Sequence, residues 1–245
     1  MTAIEPARAL LLLLVAAASI VAWAAAGELA WPARALLAAL VGPLPALAVS
    51  QARALAEGPP VPRTVIYVSS MISLWLLALV TAIAAAASGF TRRLLGLSVI
   101  DARSIACWTL LCLSAAAAMY IAGRLLHVRE DPMLEKVLPL TPREKLWFIP
   151  LSITAGICEE FVFRGFAVSA LTAATGSMWI GALIAAPLFG MLHAYQGSVG
   201  ITRTAALGFV LSLPMLLTGS LIPGMIAHTL IDIAGGWFGR QWIAR

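Results

Sequence analysis

Apolar runs long enough to cross a bilayer recur along the whole chain, and no other feature limits its fold as strongly. Eight can be marked off, at 9–26, 33–50, 64–87, 104–122, 151–171, 177–194, 203–218 and 220–238. A hydrocarbon core of about 30 Å takes roughly 20 residues of helix. Backbone groups inside it must find partners within the protein, so the runs are expected to be helices; none alternates at the short period of a barrel strand. With 62% hydrophobic and 11% charged residues, a soluble fold would need an apolar surface. The expected fold class is all-α, a polytopic membrane bundle of about eight transmembrane helices.

The formal net charge is +5, and 14 of the 16 basic residues are arginine. They sit at span ends and in loops and build no basic face with interleaved aromatics, which speaks against nucleic acid as a partner. The bilayer itself is the expected partner. With eight spans, the N-terminus, the even-numbered loops and the C-terminus share a side. That side holds eleven basic residues, Arg8, Arg240 and Arg245 among them, against four on the other, Arg34, Arg92, Arg93 and Arg103. The positive-inside rule then puts both termini in the cytoplasm, with a prokaryotic plasma membrane as the expected location. Arg8 before Leu10 and the Ala24-Ala25-Ala26 run resemble a signal peptide, but the apolar run outlasts the usual length, so a retained first helix is expected. Cys107, Cys112 and Cys158 have no CxxC spacing and are expected to be small buried hydrophobes.

The organisation is expected to be threefold: N-terminal helices over 1–122, a cytoplasmic loop and interfacial helix over 123–150, and a C-terminal catalytic unit over 151–245. Thr141, Pro142 and Glu144 form a capping-box signature that starts a helix. Pro150 is expected to break or kink that helix, leaving 142–149 as a short surface helix anchored by Trp147 and starting the span near Leu151. Trp31, Trp147, Trp237 and Trp242 fall near span ends, as interfacial anchors do. Pro187, Pro214 and Pro223 are expected to kink their spans.

The first four spans hold almost nothing ionisable. The last four hold Glu159, Glu160, Arg164, His193, His228 and Asp232. A charge at the bilayer centre costs at least about 2.5–3.5 kcal/mol, so these groups need partners or a water-filled cavity. Glu160 and Arg164 are four apart and can pair; Glu159 points about 100° away and is left for other work. His228 and Asp232 are also four apart, so the acid can orient the imidazole or both can face a ligand. Eight residues from Leu151, or about 12 Å, would put Glu159 some way in from the cytoplasmic face, level with His193 and with a His228–Asp232 pair in the later half of its span. With neutral histidines the four charges sum to −2, which a low-dielectric pocket does not tolerate. Either a divalent cation such as zinc sits there, with Glu159, His193 and His228 as ligands, or protons are shared. Both arrangements activate water.

Glu159-Glu160-Phe161-Val162-Phe163-Arg164, Phe189-Gly190-Met191-Leu192-His193 and His228-Thr229-Leu230-Ile231-Asp232 read EExxxR, FxxxH and HxxxD. Three such motifs in this order resemble the CPBP family, the CAAX-protease and bacteriocin-processing (Abi) intramembrane proteases, over roughly 141–236. The resemblance implies hydrolysis of a peptide bond in a membrane-associated protein or peptide. It implies Glu159 as the base that activates water with His193. It also implies His228 and the residue at 232 as the pair that polarises the carbonyl, Glu160 and Arg164 as supports, and Phe189 as a shaper of the pocket. Members acting on prenylated CAAX proteins tend to have asparagine where this chain has Asp232; an ionised aspartate cannot donate to an oxyanion. Metal-dependent and glutamate-type mechanisms both stay open.

Two other classes compete. One is a non-catalytic immunity or binding protein of the same fold; the other is a proton-coupled transporter using the same carboxylates. There is no HExxH and no GxGD pair, and Ser198, expected in a loop, has no positioned base. His127 lies in the charged loop and is expected to be solvated.

Overall fold

The computed structural model describes residues 6–243, and the surroundings of side chains from 10 to 239. Arg8, Arg240, Trp242 and Arg245 of the charge and tryptophan patterns lie outside the described side chains. The chain is an all-α bundle: α1 Pro6–Ala25, α2 Trp31–Val41, α3 Pro43–Glu57, α4 Arg63–Ala87, α5 Ala102–Leu125 and a single turn α6 Leu134–Val137. Then come α7 Pro142–Glu159, a π-helical segment Glu160–Ala167, α8 Val168–Thr175, α9 Met178–Leu192, a 3₁₀ turn Ala194–Gln196, α10 Gly197–Thr218 and α11 Ile222–Ile243. Among the described residues, five helical stretches are long and apolar enough to cross a membrane: Trp31–Glu57, Arg63–Ala87, Ala102–Leu125, Pro142–Thr175 and Ala194–Thr218. Large apolar side chains such as Leu13, Leu76, Leu79 and Leu110 point outward, as lipid-facing surfaces do.

Local signals set the helix ends. Asp101 accepts from the Ser104 N–H at 3.0 Å and its hydroxyl at 2.6 Å, capping α5. The Thr141–Glu144 capping box starts α7 as the sequence implies. Gly176 and Gly219 end α8 and α10 in the left-handed conformation that glycine enters without penalty.

Pro150 does not divide α7. The helix runs unbroken from Pro142 to Glu159, flanked by α4 and α11, where Phe148 meets Tyr67 edge-on at 5.4 Å. Neighbours packed on both sides hold the turn that proline weakens, and the Ser152 hydroxyl donates to the Phe148 carbonyl within it. There is thus no separate surface helix over 142–149, and Glu159 lies about 26 Å along α7 rather than 12 Å into a shorter span. Three smaller expectations also change. Pro223 occupies the first turn of α11 instead of kinking it, Ser198 lies in the first turn of α10, and Cys107 is exposed on α5 while Cys112 and Cys158 are buried.

Close backbone approach brings the site helices together. A Cβ on Gly156 would stand 2.2 Å from Thr229 Oγ1 and 2.8 Å from the Met225 carbonyl, so glycine lets α7 lie directly on α11. A Cβ on Gly190 would meet the Ile201 carbonyl at 2.5 Å, which sets α9 on α10 in the same way. The π segment sits at the centre of the larger core, where Val162, Phe163, Phe166 and Ala167 pack with Leu36, Leu37 and Leu40 of α2. Beyond α10 the chain turns within three residues and pairs with the α4–α5 connection. Leu221 N–H donates to the Gly96 carbonyl at 2.7 Å, and Ser98 N–H donates to the Gly219 carbonyl at 3.2 Å.

Candidate active site

Four elements deliver the six ionisable side chains. Glu159 closes α7, Glu160 and Arg164 lie on the π segment, His193 caps α9, and His228 and Asp232 stand on α11. The α9 helix has only 15 residues, about 22 Å, shorter than the roughly 30 Å of a hydrocarbon core, and His193 stands at its C-terminal end. His228 is the seventh residue of α11, in its first half rather than its later half. The groups meet where α7, the π segment, α9 and α11 come together.

At the base, Glu160 is fully buried and Arg164 nearly so. Arg164 Nη1 lies 3.1 Å from Glu160 Oε1, its Nε and Nη2 donate to the Gly208 carbonyl at 3.2 and 3.1 Å, and its Cζ stands 4.1 Å over the Phe189 ring. The i,i+4 pairing read from the sequence is therefore present. One partner differs. His228 Nδ1 donates to Glu160 Oε1 at 2.8 Å, while Asp232 Oδ2 is 3.7 Å from the other nitrogen, Nε2. Glu160, not Asp232, orients the imidazole. The i,i+4 rule sees only partners on one helix, and this bond crosses from the π segment to α11.

Above this base, Glu159 Oε2 lies 3.9 Å from His193 Nε2 and 3.8 Å from His228 Nε2, and it is buried with no hydrogen-bond partner. His193 Nδ1 is 3.0 Å from the Phe189 carbonyl, which can only accept, so this nitrogen carries the proton and Nε2 turns a lone pair toward Glu159. Both histidines thus present Nε2 to one carboxylate oxygen, at separations too long for a direct bond and suited to a bridging water. Phe189 packs against His193 at 4.7 Å and His228 at 6.0 Å between ring centroids, holding both rings. Side-chain exposure rises from 0% at Glu160 through 7% at His228, 15% at His193 and 17% at Glu159 to 35% at Asp232. The site therefore opens past Asp232, toward the end of α11 remote from its tie to Gly96.

A zinc ion shared by Glu159, His193 and His228 would need a tighter set. Donors around tetrahedral zinc stand about 3.3 Å apart, whereas Glu159 is 3.8–3.9 Å from both imidazole nitrogens and His228 Nδ1 is already committed to Glu160. Among the described residues, no group of three or more His, Cys, Asp or Glu side chains has metal-holding geometry. Glu159, His193 and His228 do not fit zinc as placed.

The model of the family described as type II CAAX prenyl endopeptidase Rce1-like matches residues 141–234. Over this segment the chain is similar to the CAAX-protease family. All six ionisable groups lie inside the matched segment, and the CPBP resemblance drawn from the three motifs agrees with it. The match supports a protease-type hydrolase in a membrane, acting on a peptide or protein. No curated protein and no solved structure matches the chain.

The sequence reading missed the π segment and two residues beside His193. Tyr195 and Gln196 follow it on the 3₁₀ turn, and only their polarity at the end of an apolar span could have marked them.

Proposed function

We propose that the chain is an intramembrane endopeptidase that cleaves a membrane-associated peptide or protein with water activated by Glu159 and His193. The supporting observation is the facing of Glu159 Oε2 toward Nε2 of two histidines whose tautomers are set by Phe189 and Glu160. Water held between them gives a proton to Glu159 as its oxygen bonds to the scissile carbonyl carbon. Glu159 then passes that proton to the leaving amide nitrogen as the C–N bond breaks, so protons balance over the cycle. His228 and Asp232, 3.7 Å apart, can share a proton between them and present it to the carbonyl oxygen.

The donor spacing favours water activation without a metal. Cleavage is expected to survive dialysis against a strong chelator; loss that added zinc restores would turn the reading to a metalloprotease. Membranes carrying the wild-type chain, Glu159→Ala or His193→Ala should be compared for new peptide termini in membrane proteins. New termini with the wild type only are expected, and equal cleavage by both variants would end the hydrolase reading.

A further inference from the structure

Apart from the one proton that His228 and Asp232 can share, every group facing the proposed water accepts. Glu159 and Asp232 are carboxylates, and His193 spends its N–H on the Phe189 carbonyl as His228 does on Glu160. Arg164 is held below by Glu160 and Gly208. Hydrolysis drives the electron pair of the attacked C=O bond onto oxygen, and that oxyanion needs a donor. His228 Nε2 can serve only while doubly protonated.

Tyr195 lies two residues beyond His193, on the same side of the site, with ring centroids 5.9 Å apart. That hydroxyl is held by a chain of side chains. Arg203 Nη2, which can only donate, lies 3.4 Å from Gln196 Oε1, and the Thr204 hydroxyl reaches the same oxygen at 3.4 Å. The amide is thereby fixed with Nε2 toward Tyr195, to whose oxygen it donates at 3.1 Å. Arg203 is anchored in turn by its ion pair with Glu130 of the central loop. With its oxygen accepting from Gln196, the phenol turns its own proton elsewhere.

We propose that Tyr195 is a further catalytic residue, its O–H donating to the carbonyl oxygen as the tetrahedral intermediate forms, without giving up the proton. This rests on the hydrolase reading above. The test uses purified protein in nanodiscs with an internally quenched peptide bearing a farnesylated cysteine and a CAAX-type terminus as probe. Tyr195→Phe should lower kcat about 100-fold and leave KM within about twofold, since the donor acts on the transition state. A kcat within about threefold of wild type, or a loss carried wholly by KM, would overturn the assignment and leave Tyr195 as packing for His193. If Tyr195→Phe does not fold, Gln196→Met removes only the amide that orients the phenol, and an unchanged kcat there overturns the proposal equally. A wild type no faster than Glu159→Ala would remove the hydrolase reading and Tyr195 with it, whereas a Tyr195→Phe that keeps full kcat beside an inactive Glu159→Ala removes only the role of Tyr195.

Discussion

Two adjacent glutamates are set for opposite responses to substitution. Glu160 is fully buried between Arg164 and His228, so Arg164→Met would strand a carboxylate with one partner and cost about 3–5 kcal/mol, read as a lower unfolding midpoint in detergent. Glu159 Oε2 has no hydrogen-bond partner, and Glu159→Ala should leave the midpoint near wild type while ending cleavage. Equal destabilisation by both would contradict the division of labour. The candidate residues were legible in the sequence because ionisable groups are costly in an apolar span and collect where something needs them. Their pairing was legible only within a helix. Glu160 with Arg164 could be read at i,i+4, but the bond from Glu160 to His228 spans 68 residues and follows from how α7 lies on α11.

At the scale of elements, the seam between α7 and α11 governs the register of the site. Gly156→Val would push Thr229 away and carry His228 off Glu160, costing about 1–3 kcal/mol and most of the activity; Gly123→Val, with open space around it, should cost far less. The α5 cap gives a pH signature. Hydrogen bonds from Ser104 hold the Asp101 carboxyl below its ordinary value. A depressed folded value means the cap stabilises at neutral pH and is lost as pH falls through the acid range, so the difference in unfolding between wild type and Asp101→Ala should shrink on acidification. Elements were legible where capping and composition speak, as at Thr141 and Gly176. Pro150 misled because its penalty is local while the packing that overrides it comes from α4 and α11. The π segment left no mark in composition, since its five-residue step depends on the tertiary seat of Glu160 and Arg164.

For the whole molecule, the charge asymmetry makes a prediction that geometry alone does not. With both termini cytoplasmic, as the arginine distribution proposes, a fluorescent protein fused after residue 245 should fold and emit inside the cell, and alkaline phosphatase inserted in the α4–α5 connection should be active outside. The reverse pattern would invert the topology. Eight apolar runs did foretell an all-α bundle, because the bilayer leaves the backbone so few alternatives.

The pairing of the Gly219–Leu221 turn with the α4–α5 connection reaches further than its few hydrogen bonds. It gives α11 a fixed starting block, and His228 stands about two turns beyond it. Half of that block comes from residues 96–98, outside the matched segment 141–234. An excised C-terminal piece would keep every reactive side chain yet lose the stop that indexes one histidine against the other, so the front half acts as the jig in which the rear half is aligned.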